Sequence, residues 1–285
     1  MKIFNSWVTF IVLYLFFEVL YNQNYKKATK HSKRNGALTV LLELIGGITV
    51  LILCPFMGCS FPTDLKIWLF LGLAIIFYTI AARLNTNVMK GVEVSTYCIL
   101  RQIPTVFTTI GGVLFLGENF VATRFNGAGL IVLSYVIIFY KKGDFSLNKY
   151  ILVGLLANLL TSVGRMLDIS ISDSMSLPLY STFVLTVPAL LTWGAERIKF
   201  SDIKAEYVNG DKKAILICGC VWGFMMVSLL KAYQLGQVTT VAPLAALSVL
   251  VNVIVGYIFL KERESLAKKI IAAILIVVAI ILIKL

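Results

Sequence analysis

The sequence predicts an all-α integral membrane protein whose ten transmembrane helices form two inverted-topology repeats of five. Three observations support this prediction. The 285 residues are 59% hydrophobic and only 14% charged, with a mean hydropathy of +0.90, whereas a typical soluble domain is about 25% charged. The chain contains ten apolar stretches near the length of a membrane span, which is about 20 residues. A shift of 144 residues superposes two segments of similar pattern. A soluble globular fold is therefore excluded.

The ten expected spans follow one another with short polar connections. Continuous apolar runs of this length are typical of membrane helices and lack the alternation of a membrane barrel. The first run continues into polar residues without a signal-peptide cleavage site, so it is interpreted as the first span. Trp7, Trp68 and Trp193 lie near span ends, where aromatic side chains favour the membrane interface. In chain order, the spans are about 5–22, 37–58, 66–88, 93–116, 120–140, 149–171, 176–196, 212–234, 238–260 and 267–284.

Positive charge is concentrated in alternate loops. The chain has 26 Lys and Arg against 14 Asp and Glu, a net charge of +12. The loops after spans 1, 3, 5, 7 and 9 hold 18 of the cationic residues, and the opposite side holds four, including those at both termini. Because cytoplasmic loops carry an excess of Lys and Arg, the odd-numbered loops are expected in the cytoplasm and both termini outside. This distribution explains the net charge without a nucleic-acid partner.

Metal, cofactor and enzyme chemistry are not expected. The chain has five cysteines and one histidine, His31, with no CxxC motif and no Cys/His cluster at metal-ligand spacing. It also lacks the HExxH and GxSxG motifs and a paired aspartate motif. We expect no bound cofactor, no metal site and no enzymatic activity.

The internal repeat divides the chain into residues 1–142 and residues 143–285, within a single transmembrane domain. Residues 94–100 superpose on 238–244, and residues 112–118 on 256–262. Each half then has five spans, and because five is odd, the second half crosses the membrane in the opposite sense. Inverted repeats of this kind occur in secondary transporters, where the substrate site lies near the midplane between the halves.

Residues 104–118 (PTVFTTIGGVLFLGE) resemble the fourth-helix motif of the EamA-type members of the drug/metabolite transporter superfamily. Residues 259–262 (FLKE) resemble the corresponding motif in the ninth helix. A more distant resemblance connects the chain to the triose-phosphate and nucleotide-sugar transporters. The resemblance implies a carrier with a central cavity lined by spans 3, 4, 8 and 9 and by parts of spans 1 and 6. Such families commonly have cytoplasmic termini, which conflicts with the charge distribution, and we base the expected orientation on the charges.

Arg101 is the leading candidate for contact with an anionic solute. A charge within a span is costly and therefore points to function, and Tyr97 lies one helical turn earlier on the same face. In the phosphate-carrying relatives that the chain resembles, a basic residue in this stretch of the fourth helix contacts the substrate. The alternative is a structural salt bridge between Arg101 and either Glu18 or Glu43. The matching stretch of span 9, residues 244–248, contains no cation, which disfavours a doubly charged phosphate.

Other polar residues within or near the spans complete the candidate set. Glu18 and Glu43 are candidates for proton coupling, whereas Arg165 and Asp168, three residues apart, are expected to form a neutral internal pair. Glu118 and Glu262 lie at span ends, where carboxylates favour capping or gating roles. The candidate solute-contacting residues are Arg101, Tyr97, Gln102, Arg83, Asn87, Tyr233 and Thr240.

The expected function is that of a permease: a secondary transporter that moves a small polar or amphipathic metabolite by alternating access. The expected partners are a small-molecule solute, which can be anionic, and membrane lipids; a homodimer is left open. The expected location is the plasma membrane, as a multi-pass protein. Two alternatives remain: a flippase for a lipid-linked substrate, and a non-transporting subunit of a membrane assembly.

Overall fold

The structure, a computed structural model, describes residues 6–58, 60–101, 103–115, 117, 121–141, 144–145, 149–171, 174–245, 247–259 and 266–284. Fourteen helices and one hairpin of two-residue strands make up the regular structure of these ranges. In chain order, the elements are α1 (Trp7–Lys30), α2 (Asn35–Leu51), α3 (Cys54–Met57), α4 (Leu65–Gly91), α5 (Val94–Leu100), α6 (Ile103–Phe115), α7 (Ala122–Phe139), β1 (Tyr140–Lys141), β2 (Asp144–Phe145), α8 (Lys149–Ile171), α9 (Leu177–Ala195), α10 (Phe200–Asn209), α11 (Lys212–Leu235), α12 (Val238–Ala245), α13 (Ser248–Phe259) and α14 (Leu266–Lys284).

Helices occupy the positions of the apolar stretches. Four of them, α4, α8, α9 and α11, are long and apolar enough to cross a membrane, and α2 is a shorter apolar helix. The expected class of α-helical membrane protein is confirmed, whereas the number of crossings and their inverted arrangement stay predictions.

Polar side chains mark the beginnings of several helices. Ser6 Oγ accepts a hydrogen bond from the Val8 N–H at 3.3 Å, at the start of α1. Asp64 and Asp211 similarly accept from backbone N–H groups in the first turns of α4 and α11, at 2.9 and 3.0 Å. These bonds satisfy donors that have no partner within the helix. A polar residue just before an apolar run therefore sets where each of these helices begins.

Two of the expected spans are broken helices. Helix α5 ends at Leu100 and α6 begins at Ile103, and α12 ends at Ala245 and α13 begins at Ser248. The two breaks lie 145 residues apart, close to the repeat shift of 144. Proline lies near each break, Pro104 in the first turn of α6 and Pro243 in α12, and proline removes a backbone donor from a helix.

Three features differ from the sequence-based layout. The second expected span ends early, because α2 stops at Leu51 and α3 follows as a separate short helix. The loop between α7 and α8 contains the antiparallel hairpin β1–β2. The loop between α9 and α11 contains the surface helix α10, which a search for long apolar runs does not detect because its composition is mixed.

The helices form their main contacts between the two halves of the chain. Helix α1 packs on α11, α4 on α8, α2 on α9, and α7 on α14. Helices α2 and α11 approach each other through glycines: a Cβ atom on Gly223 would lie 2.8 Å from the Gly46 carbonyl oxygen, and one on Gly46 would lie 3.1 Å from the Gly219 carbonyl oxygen. Small residues four apart allow this close backbone contact in membrane proteins.

Candidate functional site

A central cavity lies between the two halves of the chain. Helices α1, α2, α4 and the end of α5 contribute to its wall from the first half, and α8, α9 and α11 contribute from the second. The wall combines aromatic, polar and charged side chains with aliphatic ones. Its polar and aromatic members are Tyr21, Tyr25, Glu43, Tyr78, Asn85, Tyr97, Arg101, Thr161, Arg165, Asp168, Trp222 and Tyr233.

Arg101 lies on the cavity wall and beside a carboxylate. Its Nη1 atom is 3.6 Å from Glu18 Oε1 and donates to Asn22 Oδ1 at 3.3 Å. The guanidinium carbon lies 5.8 Å from the ring centroids of both Tyr21 and Tyr97, a distance that permits cation–π attraction. Arg101 therefore forms the salt bridge with Glu18 that was the alternative expectation. It also lines the cavity, together with Tyr97.

Glu43 is a second buried carboxylate near the cavity. Its side chain on α2 is 2% exposed and lines the cavity. The Oε2 atom has no hydrogen-bond partner among the residues that the structure describes. A buried polar atom without a partner is costly. Glu43 is therefore a candidate to bind a proton or a hydrogen-bond donor of a solute in the cavity.

Asp168 and Arg165 lie on the cavity face of α8, but the expected ion pair between them does not form. Asp168 Oδ1 accepts a hydrogen bond from the Tyr180 hydroxyl, and Oδ2 accepts one from the Tyr78 hydroxyl. Within the described part of the chain, no carboxylate lies within ion-pair distance of Arg165. Tyrosine hydroxyls, rather than the arginine, satisfy the carboxylate.

A polar network closes the cavity at the end where α1, α4 and α9 terminate. Tyr25, on the cavity wall, shares a hydrogen bond with Thr86 at 2.7 Å, and Thr86 shares another with Thr39 at 2.6 Å. On the same helix, Arg83 Nε forms an ion pair with Glu196 at the end of α9. This pair joins the first half of the chain to the second.

Two candidate solute-contacting residues belong to this network and are not among those that line the cavity. Arg83 Nη1 donates to Asn87 Oδ1 at 3.0 Å, and Asn35 Nδ2 donates to the same oxygen at 2.6 Å. The side chains of Arg83 and Asn87 are therefore held by neighbours in this conformation.

A second set of contacts ties the basic loop after α1 to α10. Arg34 forms an ion pair with Asp202, and its backbone N–H donates to Glu206 Oε1 at 2.6 Å. The Lys33 N–H donates to the same Glu206 oxygen at 2.9 Å. Lysines near this end also hold backbone carbonyls: Lys26 Nζ donates to the Met89 oxygen at 2.8 Å.

Five candidates remain: one that is not among the cavity-lining residues, three outside the described residues, and one on the cavity wall. Thr240 is in the first turn of α12 and does not line the cavity. Gln102, Glu118 and Glu262 lie outside the described residues. Tyr233 lines the cavity and is 5% exposed, and its hydroxyl lies beside the Arg165 guanidinium.

Sequence reasoning identified Tyr97 and Tyr233 on the wall but missed other aromatic residues. Tyr21, Tyr25 and Trp222 also line the cavity, and the rings of Tyr21 and Tyr25 stack at 5.1 Å. A signal was present, because Tyr14, Glu18, Tyr21 and Tyr25 follow helical spacing along one face of an apolar span. Among the described residues, no three His, Cys, Asp or Glu side chains lie close enough to hold a metal ion.

Comparisons with known proteins support a transporter. Residues 5–140 match the model of the EamA-like transporter family, while the curated proteins give no significant match. A solved structure, described as the crystal structure of a protein, aligns with a TM-score of 0.70 and 13% identity over 98% of this chain and 97% of that chain. At this identity, the likeness shows the fold alone.

The family match also bears on activity and location. EamA-like proteins are membrane transporters and not enzymes, which supports the same broad expectations for this chain. The apolar helices agree with an integral membrane protein. Residues 5–140 therefore match the EamA-like transporter family, and the resemblance to the drug/metabolite transporter superfamily is confirmed.

Proposed function

We propose that the chain is a secondary transporter that moves a small polar or amphipathic metabolite by alternating access. The observation that carries this proposal is the cavity, whose wall is built by both halves of the chain and presents charged and hydroxyl groups. A site between two halves becomes accessible from either side when the halves rock against each other. Membrane lipids surround the protein, and its multi-pass form and plasma-membrane location belong to the same proposal.

The pattern of helix contacts supports a two-repeat arrangement with residues 1–142 and 143–285 as the units. A shift of about 144 residues relates α1 to α8, α2 to α9, α4 to α11 and α7 to α14. Under this exchange, the α1–α11 interface corresponds to α8–α4, and the α6–α12 interface corresponds to α13–α5; all four are present. The α2–α9 and α7–α14 interfaces correspond to themselves. Ten spans in two inverted repeats would produce this contact pattern.

The Arg83–Glu196 ion pair is proposed as part of the gate at one end. It connects α4 with the end of α9, so separation of the halves at this end must break it. The Arg34–Asp202 pair also joins the two halves and must break in the same movement. Each pair is partly exposed, and exposed ion pairs typically contribute about 0 to 1 kcal/mol. Such pairs hold a closed state without preventing its opening.

We propose that the solute contacts Tyr97, Arg101 and Tyr233 on the cavity wall. For Arg83, Asn87 and Thr240, a contact with the solute stays a prediction for another conformation of the transport cycle. For Gln102, which lies outside the described residues, it stays a prediction. Glu43 is the stronger proton-coupling candidate. Each of the two carboxylates has one oxygen without a hydrogen-bond partner among the described residues, but Glu18 forms an ion pair with Arg101, whereas Glu43 has no ion-pair partner among those residues. Capping or gating by Glu118 and Glu262 likewise stays a prediction.

The function can be tested by a two-step experiment. The purified protein is first screened against metabolites by melting temperature, because a ligand at 100 times its dissociation constant adds about 2.7 kcal/mol of stability. Uptake of the stabilising solute is then measured in proteoliposomes with the variant Arg83→Cys/Glu196→Cys in a cysteine-free background, joined by a short cleavable thiosulfonate cross-linker. We expect the cross-link to arrest uptake and its reduction to restore it.

The two single-cysteine variants are the matched controls, and treatment with the same reagent should leave the uptake of each equal to its own untreated value. Full uptake by a completely cross-linked protein would contradict the proposed gate. A folded protein that no metabolite stabilises, and that takes up none of them, would contradict the transport function itself.

A further inference from the structure

The cavity contains two arginines in unequal electrostatic surroundings. Arg101 has the Glu18 carboxylate at 3.6 Å and the Asn22 amide oxygen at 3.3 Å, so its charge is balanced within the protein. Arg165 lines the same cavity, but within the described part of the chain no carboxylate approaches it to ion-pair distance. One positive charge on the wall is therefore unmatched at short range.

Asp168 does not compensate Arg165 at short range, although it lies one turn further along α8. Both of its oxygens are occupied by hydroxyl donors, Tyr180 on Oδ1 and Tyr78 on Oδ2. Its attraction for the guanidinium acts only at longer distance. Arg101 also acts on Arg165, and it repels it.

The Tyr233 hydroxyl lies beside the Arg165 guanidinium. Tyr233, on α11, lies close enough to Arg165 for its hydroxyl oxygen to accept from the guanidinium, but its hydroxyl proton has no acceptor at good hydrogen-bond geometry among the described residues. Tyr233 is 5% exposed and lines the cavity. A buried hydroxyl proton without an acceptor favours the arrival of a ligand atom that can accept it.

We propose that Arg165 is the specificity-determining cation of the cavity, and that it receives an anionic oxygen group of the solute with the Tyr233 hydroxyl as a second donor. A guanidinium presents five N–H donors in a planar fork, which suits a carboxylate or a phosphate group. Arg101 then contributes a hydrogen bond and ring packing while Glu18 balances its charge. This assignment rests on the proposed transport function, because it places a solute contact in the central cavity.

The test uses three aromatic probes that differ in charge. Benzoate and phenylphosphate carry the two anionic groups, and benzyl alcohol is an uncharged molecule of similar shape. Apparent dissociation constants come from the rise in melting temperature of the purified full-length protein with probe concentration. We expect at least one anion to bind more tightly than benzyl alcohol, and which of them does so distinguishes a carboxylate from a phosphate site.

Variants then assign this preference to residues. Arg165→Gln should raise the apparent dissociation constant of the preferred anion by about tenfold or more, the range expected for loss of a charge-assisted hydrogen bond. It should leave the dissociation constant of benzyl alcohol unchanged. Arg165→Lys should fall between the wild type and Arg165→Gln, because it keeps the charge but loses the fork. Tyr233→Phe should weaken binding of the anion, although it removes only a hydroxyl and no charge. Lys204→Gln removes one positive charge from the exposed face of α10 and should change none of these values.

Three results would overturn the assignment. They are a wild-type protein that prefers neither anion to benzyl alcohol, a folded Arg165→Gln variant with wild-type affinity for the anion, and full recovery of anion binding in Arg165→Gln/Asp168→Asn. The last would mean that Arg165 only balances Asp168. If Arg165→Gln does not fold, Arg165→Lys and Tyr233→Phe decide the question. None of these outcomes depends on uptake or on the cross-linked gate, so the transport proposal stands or fails separately.

Discussion

At the scale of single residues, the buried charges of the cavity divide into matched and unmatched groups. Arg101 is matched by Glu18, and Asp168 is matched by two tyrosine hydroxyls. Among the described residues, no carboxylate pairs with Arg165, and Glu43 Oε2 has no hydrogen-bond partner. Because an intramembrane charge is costly and points to function, the unmatched groups are the better candidates for contact with a proton or a solute. The matched groups are better candidates for holding helices together.

The Arg101–Glu18 pair leads to a prediction about stability. Glu18 is 2% exposed, so Arg101→Gln leaves a buried carboxylate without its cation and should lower the free energy of unfolding by about 3 to 5 kcal/mol. The double variant Arg101→Gln/Glu18→Gln should recover most of this loss. Arg101→Gln/Glu43→Gln should recover none, because Glu43 lies apart from this pair. Melting temperatures of the four proteins in detergent test the prediction; equal rescue by both second changes would contradict the assigned pairing.

The residues themselves could be selected from the sequence, but their partners could not. A charge inside an apolar span is visible in the sequence, and it singled out Arg101, Glu18, Glu43, Arg165 and Asp168. The choice between Glu18 and Glu43 as the partner of Arg101 depends on how helices from distant parts of the chain pack. For the same reason, local spacing suggested an Arg165–Asp168 pair, whereas the tyrosines of α4 and α9 satisfy Asp168 instead.

At the scale of elements, long apolar runs predicted where helices occur better than where they end. Each of the pairs α5–α6 and α12–α13 was predicted as one continuous span, because the residues on both sides of each break are apolar. A proline in an apolar run did not by itself predict whether the helix breaks. Pro188 lies inside the continuous helix α9, whereas Pro104 and Pro243 lie near breaks. Helix α10 was missed because it lies at the surface and its length is only ten residues.

The glycine contact between α2 and α11 gives a prediction at the same scale. Gly223→Ala places a Cβ atom 2.8 Å from the Gly46 carbonyl oxygen, so the two backbones must separate. We expect a destabilisation of about 1 to 3 kcal/mol, the usual range for overpacking. Gly72→Ala on α4 is the matched control, because its Cβ atom would meet nothing within 4 Å, and alanine favours a helix over glycine by up to about 1 kcal/mol. Melting temperatures that fall equally for both variants would show that the close contact is not the cause.

At the scale of the whole molecule, the contact pattern combines the two halves into one unit. Helices from the first half find their main partners in the second. The central cavity follows from this arrangement, because the groups on its wall come from both halves. The internal similarity of residues 94–118 and 238–262 is readable from the sequence alone, whereas the cavity wall depends on which helices cross between the halves.

The orientation of the molecule in the membrane is the last prediction. The ion pairs and hydrogen bonds of the closed end involve the loop after α1, the end of α4 and the segment between α9 and α11. The bias of Lys and Arg toward the same loops predicts that this end faces the cytoplasm.

The orientation can be tested with single cysteines in an otherwise cysteine-free protein. A cysteine in place of Lys30, which is exposed, should resist a membrane-impermeant maleimide in intact cells and react after the cells are opened. A single cysteine in place of Thr63, exposed between α3 and α4 at the opposite end, should react in intact cells. The reverse labelling pattern would place the closed end outside and would show that the family's usual orientation, with cytoplasmic termini, overrides the charge bias.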